Sequence, residues 1–103
     1  TKNISFLMDR HGTWSLSPAY DVSWAYNPSG TWTSVHQMSI NNKWDDITRA
    51  DLLTVAKSVN VRQAADIIDQ VVDGVRNWHL FAEEAGVPQD IADFIGKTFV
   101  MLG

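Results

Sequence analysis

The chain has 103 residues, 45% of them hydrophobic, and carries 12 acidic against 8 basic side chains for a formal net charge of −4. That acidic balance argues against direct nucleic-acid binding, which needs a basic face to displace phosphate counterions. Zero cysteines exclude disulfides and thiolate metal sites and fit a cytoplasmic protein; with no apolar run near the ~18–20 residues of a membrane span, and no signal peptide expected, no membrane role is expected either.

Ile4-Ser5-Phe6-Leu7-Met8 alternates in size and polarity and predicts a strand. Asp9-Arg10-His11-Gly12 supplies a four-residue turn with glycine where the backbone turns left-handed. Thr13-Trp14-Ser15-Leu16 returns, and Pro18 stops the ladder because it has no N–H to donate. Closing a hairpin over that turn pairs Met8 with Thr13 and Phe6 with Ser15, and puts Asn3 opposite Pro18, three residues from Asp21. An amide oxygen and a carboxylate then meet at one end of the hairpin. A hard cation such as Mg²⁺ takes oxygen ligands and fills its shell with water and substrate phosphates, so the pair is a candidate half of a Mg–nucleotide site. Asn and Asp also serve turns in many folds, and spacing alone does not separate the two uses.

Trp24, Tyr26 and Trp32 flank Asn27-Pro28-Ser29-Gly30, a strong turn signal, and these rings are expected to cover the helices. Val35 to Trp44 predicts a second short hairpin, with Asn41-Asn42 as a type I′ turn between Met38-Ser39-Ile40 and Lys43-Trp44. His11, His36 and His79 are isolated, with no partner at a metal-binding spacing, so no zinc site can be assembled.

The rest is helical in pattern. Thr48-Arg49-Ala50-Asp51 is a capping-box variant opening a helix to about Ser58 that presents Leu52, Leu53, Val55 and Ala56. Asp45-Asp46 just ahead suits the positive helix end better than general acid–base work. A longer helix is predicted from about Val61 to Ala85, with an apolar stripe through Ala64, Ile68, Val71, Val75, Trp78, Ala82 and Ala85. Ile67, Val72 and Phe81 widen the stripe and predict burial on more than one side, and Gly74 is placed for a close crossing. Gly86 suits a helix C-cap, and Pro88 opens a last helix to Val100 that faces inward with Ile91, Phe94, Ile95 and Phe99. The expected fold is mainly α with a small N-terminal β-hairpin. A single piece divides into 1–23 (metal-binding hairpin), 24–46 (aromatic loop and short hairpin) and 47–103 (helical tail).

The string Thr1-Lys2-Asn3-Ile4-Ser5-Phe6-Leu7, followed by Trp14-Ser15-Leu16-Ser17-Pro18-Ala19-Tyr20-Asp21, resembles the C-terminal half of HipA-family serine/threonine kinases. In that family a segment Asp-His-x-Lys-Asn carries the catalytic loop, and a hairpin then leads to Pro-x-Tyr-Asp. The resemblance is dense over residues 1–23 and weaker in Gln37-Met38-Ser39-Ile40-Asn41 and the helical tail. It implies part of the C-lobe of a protein-kinase-like fold, with Mg²⁺ and ATP as cofactors. Asn3 and Asp21 would be the metal ligands, and Lys2 would lie in the catalytic loop, close to the transferring phosphate or the catalytic carboxylate. The resemblance further implies a protein substrate, of the aminoacyl-tRNA synthetase kind, and a toxin restrained by a DNA-binding, HipB-like antitoxin. The family's catalytic aspartate falls upstream of Thr1, as does the nucleotide-gripping N-lobe. The resemblance therefore implies a C-terminal fragment, inactive alone, with apolar surface that favours self-association. The alternative from another class is a non-catalytic helical protein-interaction module that keeps the hairpin as scaffold.

Overall fold

The computed structural model describes residues 3–102. Two strands and four helices follow in chain order: β1 (Phe6–Met8), β2 (Trp14–Leu16), α1 (Arg49–Ser58), α2 (Ala64–Arg76), α3 (Trp78–Glu84) and α4 (Gln89–Gly96). The chain is thus mainly helical with a small antiparallel hairpin near its N-terminus, as its pattern predicts.

The hairpin closes one residue away from the expected register, pairing Phe6 with Leu16, Leu7 with Ser15 and Met8 with Trp14. Asp9 explains the shift. Its N–H donates to the Thr13 carbonyl at 3.0 Å, which leaves only Arg10, His11 and Gly12 as the loop. The Asp9 carboxylate accepts from the His11 and Thr13 N–H groups at 2.8 and 3.0 Å, and Gly12 turns left-handed at φ 82°. This is a three-residue hairpin loop with its αL glycine in last place. Beyond the strands the same register continues through one bond, from the Ser17 N–H to the Ser5 carbonyl at 2.9 Å.

Asn41 and Asn42 both take positive φ (51° and 62°), and Ile40 and Lys43 exchange both backbone hydrogen bonds at 2.8 and 2.9 Å. The type I′ turn is present, but the hairpin expected around it is only this single bridge. Directly after it, Thr48 and Asp51 form the expected capping box: the Asp51 N–H donates to the Thr48 hydroxyl and the Thr48 N–H to the Asp51 carboxylate.

The long helix predicted from Val61 to Ala85 is two helices. The Asn77 side-chain amide donates to the Asp73 carbonyl at 3.0 Å, the group its own backbone N–H would take in a continuous helix. That N–H bonds Gly74 instead, and α3 starts anew at Trp78. The N-terminal boundary moves to Ala64 because Asn60 and Gln63 are left-handed at φ 57° and 55°. Asn60 and Gly86 end α1 and α3 in the same way. In each, the left-handed residue's N–H bonds back three residues (Lys57, Glu83) and the next N–H bonds back five (Ala56, Ala82).

The apolar stripe is narrower than predicted. Ile68 and Val72 of α2 are buried with Ala82 of α3 and Ala92 of α4, while Val71 is 60% exposed. Ile67 and Phe81 are exposed as well, so the two-sided burial expected of this region is absent. A Cβ on Gly74 would meet no atom within 4 Å, so no close crossing occurs there. The tight approach is at Gly96, where a Cβ would lie 3.1 Å from His79 Cε1 and 3.2 Å from Trp78 Cδ1. The Trp78 indole N–H donates to the Ala92 carbonyl at 2.9 Å and its ring meets Phe99 edge-on at 5.5 Å, which joins α3 to α4. The last helix stops at Gly96 and not at Val100; Ala92 and Ile95 within it and Phe99 beyond it lie inward, whereas Ile91 and Phe94 are exposed. Because Gly74 sits mid-helix with open space around it, Gly74→Ala is expected to stabilise the domain by about 0.5–1 kcal/mol. Urea denaturation checks it; a lower midpoint would mean the site is crowded.

Consecutive helices pack pairwise, α1 on α2, α2 on α3 and α3 on α4, and the hairpin lies against none of them. The result is open. The accessible surface is 8622 Å², against about 5800 Å² for a compact chain of this mass. The radius of gyration is 16.3 Å, where about 13 Å is usual for this length. Phe6, Leu7, Met8, Trp14 and Leu16 all stand exposed, so the hairpin shows apolar side chains on both faces. Among the described residues, no helix is long and apolar enough to cross a membrane.

Candidate cation site at the feet of the hairpin

Asn3 precedes β1 and Asp21 follows β2, and the hairpin brings them together. Asn3 Nδ2 donates to Asp21 Oδ2 at 3.0 Å, across 18 residues of sequence. Both residues adopt left-handed backbone, φ 65° and 52°, which costs energy for any residue with a Cβ and is least unfavourable for Asn and Asp. At Asn41, Asn42 and Asn60 the left-handed backbone serves a turn or a helix end. Among the described residues neither Asn3 nor Asp21 lies in a hydrogen-bonded turn or ends a helix; Asp46, at φ 46°, has the same backbone with no site around it, so the contact between Asn3 and Asp21, rather than their backbone, singles the pair out. Lys2, the third expected site residue, lies outside the described residues.

Two features hold the feet in place. The Ser5 and Tyr20 hydroxyls are 2.7 Å apart, one residue inside Asp21 and two inside Asn3. The Ser5 carbonyl takes the Ser17 N–H. Asn3 also lines a shallow depression with Ile4, Leu16, Ser17, Pro18 and Ala19. Sequence reasoning missed the Ser5–Tyr20 link. Its only signal is that both are polar positions next to the proposed ligands.

The donor set fits a hard divalent cation. The Asn3–Asp21 bond uses the amide nitrogen, and among the described residues the Asn3 carbonyl oxygen and the second Asp21 oxygen take no hydrogen bond. A neutral and an anionic oxygen on adjacent, exposed side chains provide two ligands, and leave the remaining positions for water and phosphate oxygens, as Mg²⁺ prefers. Among the described residues, no three His, Cys, Asp or Glu side chains converge into an alternative metal cage.

The remaining polar clusters brace the fold. Asp51, 5% exposed, accepts from Lys43 Nζ and Asn41 Nδ2, both at 2.8 Å, and from the Thr48 N–H and hydroxyl. Lys43 foremost, then Asn41 and Thr48, hold its carboxyl well below the usual carboxylate range. Arg49 pairs with Asp69 on α2, also donates to the Ala65 carbonyl, and lowers the Asp69 pKa. His79 is not isolated: its Nε2 lies 3.0 Å from Asp93 Oδ1, which also accepts from Gln89 at 2.9 Å. The aromatic loop docks through Trp24, whose indole N–H donates to Thr98 at 2.8 Å and whose ring meets Phe94 edge-on at 6.0 Å. Trp24 therefore covers a helix as expected, but Trp32, 73% exposed, covers none.

Residues 1–79 match the family model of the HipA-like C-terminal domain. The chain belongs to that family. The matched stretch contains the whole hairpin, both of its feet, α1 and α2, and ends at the start of α3. No curated protein and no solved structure matches the chain.

Proposed function

We propose that this domain supplies the metal–nucleotide end of a HipA-like serine/threonine kinase. That kinase transfers the γ-phosphoryl group of ATP to a protein hydroxyl: the bond from the γ-phosphorus to the β–γ bridging oxygen breaks, a bond to the hydroxyl oxygen forms, and ADP and the hydroxyl proton leave. The observation that carries this reading is the Asn3–Asp21 contact at 3.0 Å across the feet of the hairpin. Membership of the HipA-like C-terminal domain family supports it.

Phosphoryl transfer depends mainly on positioning and charge neutralisation. Bound Mg²⁺ would supply the positive charge that offsets the triphosphate oxygens. Asp21 gives the anionic ligand and Asn3 a neutral one. Both side chains are exposed at the open end of the hairpin, so they would hold the ion where a nucleotide can reach it. Lys2, adjacent in sequence to Asn3 and outside the described residues, would by this reading belong to the same loop, close to the transferring phosphate or the catalytic carboxylate. The reading includes a cytoplasmic toxin of a toxin–antitoxin system, an aminoacyl-tRNA synthetase as substrate and a DNA-binding antitoxin as restraint.

A second reading, a non-catalytic interaction module, rests on a different observation: the apolar residues left open on the hairpin and helices. The two separate in one experiment. The intact protein, given radiolabelled ATP, is expected to incorporate phosphate on serine or threonine only while Mg²⁺ is present, with chelation abolishing transfer. Incorporation by neither wild type nor any metal-loaded form would favour the module.

A further inference from the structure

We propose that Tyr20 is a positioning residue for the cation pair, acting through the hydrogen bond between its hydroxyl and that of Ser5; this rests on the metal reading above.

The last backbone bond between the two arms runs from the Ser17 N–H to the Ser5 carbonyl, and Pro18 has no N–H with which to continue it. Asn3 and Asp21 lie outside that bond. Among the described residues, two hydrogen bonds join the arms further out, Asn3 to Asp21 and Ser5 to Tyr20. A cation drawing oxygens from Asn3 and Asp21 competes directly with the first, because it turns the Asn3 amide away from nitrogen donation. The second involves no ligand atom. Ser5–Tyr20 is thus the bond that persists when the ion binds, and it fixes how far apart the two ligand-bearing residues stand. Ser5 is doubly held, by its carbonyl to Ser17 and by its hydroxyl to Tyr20, which makes it a firm anchor for the Tyr20–Asp21 segment. The Tyr20 side chain is no core residue, being 44% exposed, so its polar tip matters more than the area its ring buries. Two ligands spread over a flexible hairpin end lose affinity to the entropy of bringing them together, and a tether one residue away reduces that loss.

The test titrates this chain with Mn²⁺ as a paramagnetic probe and follows line broadening of the Asn3 side-chain amide and the Asp21 backbone amide. Tyr20→Phe removes one hydroxyl and is expected to weaken Mn²⁺ binding about fivefold, the scale of one net hydrogen bond. Ser5→Ala should match it, the double variant should be no weaker than either single one, and Ser5→Thr should restore wild-type affinity. Hydrogen-exchange protection of the Ser17 amide reports whether the hairpin stays closed. Loss of that protection in Tyr20→Phe would assign the tyrosine to the hairpin itself and overturn the proposal. Wild-type affinity in Tyr20→Phe, with binding abolished in Asp21→Asn, would also overturn it while leaving the metal reading in place. Absence of site-specific broadening in wild type would remove the metal reading and this inference with it.

Discussion

Asp21→Asn is expected to lower phosphate transfer by the intact protein by at least about 100-fold, the scale on which one preorganised electrostatic contact acts in transfer reactions. The substitution keeps the shape of the side chain and its ability to accept from Asn3, so the contact at 3.0 Å has a neutral counterpart. What it removes is the negative charge, the one formal charge in the described pair. Asn3→Ala should cost less, about tenfold, because a neutral amide offers the ion a dipole rather than a charge. Initial rates at saturating ATP and Mg²⁺ make the comparison, with protection of the Ser17 amide as the control for an intact hairpin. A change below about threefold for Asp21→Asn would take Asp21 out of the proposed mechanism.

The largest effect on stability is expected from Asp51. Its carboxylate ties two segments together: the Asn41-Asn42 turn, through Asn41 and Lys43, and the first turn of α1, through Thr48. Its side chain is 6% exposed, against 60% for Asp69 and 47% for Asp93 in two of the other ion pairs. Solvent screens those two pairs, so they contribute little. Asp51→Ala leaves a lysine, an asparagine amide and a helix-end N–H without their acceptor, and is expected to lower Tm by on the order of 10 °C. The same residue sets an acid limb. Its folded-state pKa is lowered, so its contribution is complete above the ordinary carboxylate value of about 4 and is lost progressively as pH falls below it. Asp69 and Asp93 shift in the same direction and add weakly to that limb. Thermal melts should be flat from neutral pH to about 5, fall below about 4, and fall less steeply in Asp51→Asn. An unchanged acid limb in that variant would show that other carboxylates govern it.

The parts of this fold legible in the sequence are those set by neighbours along the chain. Asn41-Asn42, Gly12 and Gly86 adopt the left-handed backbone their residue types favour, and Thr48 with Asp51 closes a box three residues wide. The convergence of Asn3 and Asp21 was legible too, because both lie just beyond the ends of a short hairpin and a one-residue error in register barely moves its feet. Other features depended on competition that residue types alone do not decide. The helix break at Asn77 comes from a side-chain amide displacing a backbone donor, and many asparagines in helices do no such thing. The stripe through Val71 was misplaced because periodicity gives a line of apolar residues, while the neighbouring helix selects Ile68 and Val72 from it. The spacing of Thr48 and Asp51 shows only a cap; the bonds of Asp51 to Asn41 and Lys43 depend on the preceding turn folding back onto α1.

The open surface bears on both functional readings. The hairpin shows Phe6, Leu7, Met8, Trp14 and Leu16 to solvent, a contiguous apolar surface of the kind that marks an interaction site. In the kinase reading that area is covered by other parts of the enzyme or by a second copy, and in the module reading by a partner.

The central claim is that Asp21 touches the metal, and a change of metal preference tests it most directly. The chain contains no cysteine, so Asp21→Cys places a single soft thiolate at the proposed site. In the intact protein this variant is predicted to lose Mg²⁺-supported phosphate transfer and to regain at least about tenfold with Cd²⁺, while wild type prefers Mg²⁺. Full activity of the variant with Mg²⁺ alone would contradict the account.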